Sequence, residues 1–160
     1  MATPQPGRRL YACYGGSRSG VNQGVYDCST STDYEVACWR ATLRATMYCL
    51  QNPFGKQLAQ LPLTNTSLPA APGLAVASPL ALILDDGAHC LIRDGGSWPT
   101  LAAYPDWIGT YSCNTSNDRI LWASDGDGVN RTNRTWTVTS TGKSNTPVLH
   151  AVKVAYFAGN

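Results

Sequence analysis

Two histidines, six cysteines, one glutamate and nine aspartates are the residues of this 160-residue chain that could carry acid–base, nucleophilic or metal chemistry. His89 follows Asp85-Asp86 closely, so an imidazole with a carboxylate beside it could activate a hydroxyl or a water. No Gly-x-Ser-x-Gly elbow presents a serine to it. Asp85, Asp86 and His89 are therefore the residues of a hydrolase alternative, while His89 reads first as a turn-flanking residue and His150 as a strand residue. Asp85, Asp86, Asp94 and Asp106 stand in Gly- or Pro-containing turns. Such placement argues against the two facing acids of a glycosidase.

The run Asp125-Gly126-Asp127-Gly128-Val129-Asn130 alternates oxygen ligands as a calcium loop does. Its twelfth position is Trp136, where an EF-hand needs a bidentate glutamate, so an EF-hand is excluded. Asp125, Asp127 and Asn130 stay as candidates for a looser calcium site, beside the plainer reading of a Gly-rich hairpin loop. No cofactor is expected. Trp98, Tyr104, Trp107 and Trp122 form the third set. Aromatics in a loop can stack on a ligand or receive a partner's apolar side chains, or they can make a small core beneath the loop itself.

Elements that could position these groups centre on residues 82–113. Ala81–Leu84 and Cys90–Ile92 are apolar runs separated by Asp85-Asp86-Gly87, a hairpin signal that predicts strands over 81–93. Pro99 and Pro105 break regular structure, which leaves an aromatic loop before the strand Ile108–Cys113. Ile108, Thr110 and Ser112 should share one face of that strand, and Gly109, Tyr111 and Cys113 the other.

The cysteines at 13, 28, 38, 49, 90 and 113 form an even set without CxxC spacing, which predicts disulfides and an oxidising compartment. Of 15 connectivities, the sequential one, Cys13–Cys28, Cys38–Cys49 and Cys90–Cys113, is expected. Residues 33–50 are ambiguous. Thr32 and Glu35 fit a capping box, and Val36, Trp39, Leu43, Met47 and Leu50 fit one helical face. A helix would hold Cys38 and Cys49 about 16 Å apart, whereas a hairpin brings them together, so the hairpin is preferred.

Strands are further expected over 56–63, 119–123, 135–139 and 148–157, the last central because both its faces carry apolar residues. The domain reading is a flexible lead-in over 1–9, an N-terminal β lobe over 10–63, a Pro/Ala-rich linker over 64–79 and a C-terminal β lobe over 80–160. Gly-Val-Tyr-Asp-Cys28 echoes Gly-Thr-Tyr-Ser-Cys113, which suggests two similar lobes. The fold class is thus mainly β: antiparallel hairpins in a small sandwich or barrel-like fold, stapled by disulfides.

A net charge of +2 with 14% charged residues does not support a nucleic-acid partner. No leader pattern and no run long enough to span a bilayer is present, so an exported chain would have lost its leader, lipid anchor or transmembrane segment. Asn65, Asn114, Asn130 and Asn133 head N-x-Ser/Thr sequons that mark polar turns.

Leu84-Asp85-Asp86-Gly87 before Cys90, Gly95-Gly96 before Trp98, Gly109-x-Tyr111-x-Cys113, Leu121-Trp122, Asp127 to Arg131, Trp136-Thr137-Val138 and Ala155 to Gly159 together resemble small exported or membrane-anchored domains of actinobacteria. The resemblance implies export and a β-rich fold and assigns no catalytic residue. The expected function is a secreted or cell-envelope, non-enzymatic domain that binds a protein or envelope ligand through the loop 95–107. A secreted hydrolase using Asp85, Asp86 and His89, and a structural or sensor ectodomain, are the alternatives.

Overall fold

The computed structural model describes residues 2–42, 45–55, 57–93, 100–114, 119–142 and 145–159, and places twelve strands and no helix among them. They divide into two compact units, 1–80 with 157–160, and 81–156.

The first unit is a six-stranded sheet of β1 (Ala2–Pro4), β2 (Ala12–Gly16), β3 (Val25–Ser29), β4 (Tyr34–Arg40), β5 (Thr46–Asn52) and β6 (Gln57–Pro62). Strands β2 to β6 form an antiparallel meander, and β1 lies parallel to β6. The ambiguous stretch 33–50 is a hairpin, with Cys38 directly opposite Cys49. Both of this unit's disulfides, Cys13–Cys28 and Cys38–Cys49, join facing residues of neighbouring strands. They lie in its core with Leu10, Met47, Ala59 and Leu61.

Three parts of the domain reading differ from the structure. The expected lead-in 1–9 contains β1, because the outer edge of β6 offers unpaired backbone groups that Ala2–Pro4 satisfy. Arg8 is drawn in as well: its Nη2 donates to Glu35 Oε1 at 2.5 Å and its Nη1 to Gln51 Oε1 at 2.9 Å, while Gln51 Nε2 donates to Glu35 Oε2 at 2.7 Å. Glu35, the chain's one glutamate, is only 5% exposed, and a buried carboxylate needs such partners. The expected linker 64–79 has no strand but is tied to the first unit, with Gly24 N donating to Ala71 O at 2.8 Å and Ser78 N to Arg18 O at 2.8 Å. Ala71 and Ala77 are buried there, and Gly16 passes so close that a Cβ would stand 2.5 Å from Pro72 O. Finally, Ala158 exchanges backbone bonds with Ser19 and Val21, so the last residues belong to the first unit and not to a lobe reaching 160.

The second unit is a closed antiparallel barrel of β7 (Ala81–Leu84), β8 (His89–Ile92), β9 (Ile108–Cys113), β10 (Ile120–Ala123), β11 (Thr137–Thr141) and β12 (Pro147–Tyr156). Every strand pairs with the next, and β12 returns to β7. The β7–β8 turn needs Gly87 at φ +84°, and the Asp86 carboxylate accepts from Ala88 N at 3.1 Å. Strand β9 alternates as expected, with Gly109, Tyr111 and Cys113 buried. Cys113 is bonded to Cys90 across the pair. Strand β12 does have a partner on each side, but it is not covered on both faces: Leu149 is 66% exposed. Six strands enclose too little room for a ligand, and Leu82, Leu84, Tyr111, Leu121 and Val138 fill the interior. Any binding site of this unit must therefore lie at its ends or outside.

Two stability predictions follow from these packings. Burial, first, raises the Glu35 carboxyl above its ordinary 4.5 against the lowering pull of Arg8 and Gln51. The folded chain holds that proton more tightly than the unfolded chain, so this contribution is full below the ordinary value and is lost as pH rises through the folded-state value. Glu35→Gln should flatten that limb in melting temperatures measured from about pH 4 to about pH 7. Replacing Cys90 and Cys113 by alanine releases a loop of sequence separation 23. It should cost about 3 kcal/mol in denaturant unfolding followed by tryptophan fluorescence.

Candidate functional site

Two clusters stand at the ends of the barrel strands. The first gathers at the β7–β8 turn. His150 sits opposite the core residue Val138 on β12, and this inward register carries its imidazole to the turn. His150 Nδ1 lies 3.1 Å from Asp85 Oδ1 and 3.8 Å from Asp86 Oδ2. Arg119 forms a close ion pair with Asp86 Oδ2. A backbone hydrogen bond from Ala151, then the His150 imidazole, holds the Asp85 carboxyl below its ordinary range. Burial pushes Asp86 up, but Arg119 and the Ala88 amide outweigh it and leave that carboxyl lowered as well.

His150, which the sequence had read as a strand residue, thus meets both aspartates. His89 pairs with Ile83 on β7, and its backbone N–H donates to Asn114 Oδ1 at 2.9 Å. Because side chains alternate along β8, the buried neighbour Cys90 and His89 point to opposite sides. One ligand atom from each of Asp85, Asp86 and His150 falls within a 4.8 Å group, a spacing a cation could use. The Arg119 guanidinium already supplies positive charge there, so the cluster reads as a clasp on the turn.

The second cluster follows β10. A cleft of about 370 Å³ is lined by Trp107, Trp122, Ser124, Asp125, Asp127 and Asn130, among others. It lies near the low end of the ~300–1,000 Å³ typical of ligand pockets. Its two indoles are fixed differently. Trp122 is 4% exposed, and its Nε1–H donates to Thr141 Oγ1 at 2.7 Å. Trp107 is half-buried and stacks on Tyr104, with ring centroids 4.2 Å apart and planes at 22°. The turn beneath it is held by Tyr104 N donating to Leu101 O at 2.9 Å, with Leu101 buried as an anchor.

On the facing wall the Asp127 carboxylate takes both guanidinium arms of Arg131, at 3.1 and 2.6 Å, and the Val129 N–H at 3.0 Å. Trp136 lies under the same guanidinium, 5.2 Å from carbon to ring centroid. Asn130 Oδ1 accepts from Thr132 N at 3.0 Å and Thr132 Oγ1 at 2.7 Å. Gly128, at φ +76°, admits the wall: a Cβ there would stand 2.9 Å from Trp122 O. The Asp127 carboxylate thus holds the Arg131 guanidinium, within the loop that the sequence left open between a Gly-rich hairpin loop and a looser calcium site.

Three of the four expected aromatics are brought to this one place, together with Asp125, Asp127 and Asn130, which the sequence had offered as a separate site. Trp98 and residues 95–99 of the expected binding loop lie outside the described residues. Arg131 and Ser124 of the loop and Thr139 of β11 line the cleft but were not singled out as site residues from the sequence. His150 could have been found from its place between Val148 and Val152 on one strand face.

No protein-family model, curated protein or solved structure matches the chain. Three disulfides are formed, and no helix among the described residues is long and apolar enough to cross a membrane.

The clasp gives a direct expectation. In Arg119→Ala the Asp86 carboxyl loses its ion-pair partner and should titrate at higher pH than in the parent, whereas Asp85, held by Ala151 and His150, should move little. Carboxyl-carbon NMR titration of the two residues distinguishes this from a metal-binding cluster, which would respond to added calcium or zinc instead.

Proposed function

We propose that the chain is an exported, non-enzymatic binding domain that engages a protein or cell-envelope ligand through the cleft bounded by Trp107 and the 124–131 loop. The observation that carries this reading is the cleft itself: a half-buried stacked aromatic pair stands beside polar groups already locked in orientation. Such preorganisation lowers the entropy lost on binding. Three buried disulfides suit an oxidising compartment, and the resemblance to exported actinobacterial domains points the same way.

The hydrolase alternative has weaker support. Its aspartates are engaged by His150 and Arg119 in a clasp. A structural or sensor ectodomain would use the same cleft in its ligand-sensing form.

Binding is tested by co-sedimentation of the oxidised protein with isolated actinobacterial cell envelopes. The parent should sediment with them. Trp107→Ala, which removes a half-buried ring outside the barrel interior, should keep the parent's near-ultraviolet circular dichroism apart from that ring and lose at least about tenfold in apparent affinity, an effect of about 1.4 kcal/mol. Sedimentation unaffected by the substitution would remove the cleft from the proposal.

A further inference from the structure

We infer that the ligand of this cleft is a neutral hexopyranose unit of a glycan, an assignment that rests on the cleft being the binding site proposed above. A pyranose ring presents one patch of C–H groups and a rim of hydroxyls, each both donor and acceptor. The cleft offers the complement of each. Trp107, half-buried and braced by Tyr104 at 4.2 Å, gives the cleft a flat apolar surface, and the polar lining includes Ser124, Asp125 and Asn130. Carboxylate and carboxamide are planar groups that fix hydroxyls in two directions.

Charge separates a sugar from an anionic ligand. Of its ionisable side chains, Asp127 and Arg131 neutralise each other through a two-armed pair, which leaves the Asp125 carboxylate. A phosphate or other anion would meet that carboxylate, and the arginine that might have received it is already held by Asp127 from the side and Trp136 from below. A large apolar ligand would be a poor fit for a rim made mainly of polar groups. The packed barrel interior offers no deeper pocket to bury one.

The rigidity of the wall supports the same assignment. Sugar hydroxyls are well solvated, so a site gains affinity only when its own polar groups need no reordering. Asn130 is fixed by Thr132, Arg131 by Asp127, and the whole loop is seated on β10 through Gly128.

The test uses the oxidised full chain and a panel of neutral trisaccharides (maltotriose, cellotriose, mannotriose) with tryptophan fluorescence and calorimetric titration, alongside envelope sedimentation before and after periodate oxidation, which cleaves vicinal diols of sugars. At least one trisaccharide should bind. Its affinity should fall about tenfold or more in Trp107→Ala and in Asn130→Ala, and stay within about twofold in Tyr14→Ala, an exposed aromatic of the other unit. Raising salt from about 0.05 to about 0.5 M should change the affinity less than about twofold, as a neutral ligand requires. Envelope binding that depends on Trp107 but survives periodate, or that weakens steeply with salt, would overturn the glycan assignment while leaving the cleft as a binding site. Absence of binding by the parent to both envelopes and trisaccharides would overturn the two together.

Discussion

The second unit depends on how strand β12 closes the sheet. Residues 147–151 pair with β11 and residues 152–156 with β7, so one ten-residue strand serves two neighbours in turn. A closed barrel requires its strands to tilt and their registers to stagger, and a long strand running past two shorter partners meets that need. Closure gives every strand of the barrel a neighbour on each side and so leaves no strand wholly at an edge. The cleft and the aspartate clasp both stand on strand ends whose positions this closure sets.

The first unit stays an open sheet with β1 and β2 outermost. Its meander is completed by β1, which lies parallel to β6, and by Leu10, whose N–H donates to Pro62 O at 2.8 Å while its carbonyl accepts from Thr64 N at 2.8 Å. Arg8, between these contacts, brings the counter-charge that lets Glu35 be buried. In both units the disulfides link residues that already face each other across an antiparallel pair, so they reinforce a register that the strands also specify.

Arginine is a recurrent partner of the acids in both units. Arg8 meets Glu35, Arg119 meets Asp86, and Arg131 meets Asp127. A planar guanidinium can satisfy two carboxylate oxygens at once, which a lysine cannot do. At Asp127 this converts a loop rich in oxygen ligands from a cation site into a rigid polar wall.

The strands, the hairpin at 81–93, the face alternation of β9 and the disulfide-stapled β class were legible because each rests on short-range rules: period-two side-chain alternation, Asp-Gly turn chemistry and the distance a helix would impose between Cys38 and Cys49. The pairing of β1 with β6, the path of residues 64–79 along the first unit and the return of residues 157–159 were not, because each depends on which edge or groove is left open once the sheets exist. The same division holds at the candidate site. Sequence alone marked Tyr104, Trp107, Trp122, Asp125, Asp127 and Asn130 as residues of interest, and could not show that the last five line one cleft, with Tyr104 stacked on Trp107, or that Arg131 closes on Asp127. It paired Asp85 and Asp86 with His89 through nearness along the chain; tertiary structure brings them His150, 65 residues from Asp85. Local rules fix which way a side chain points from its strand, and only barrel closure fixes which strands stand beside it.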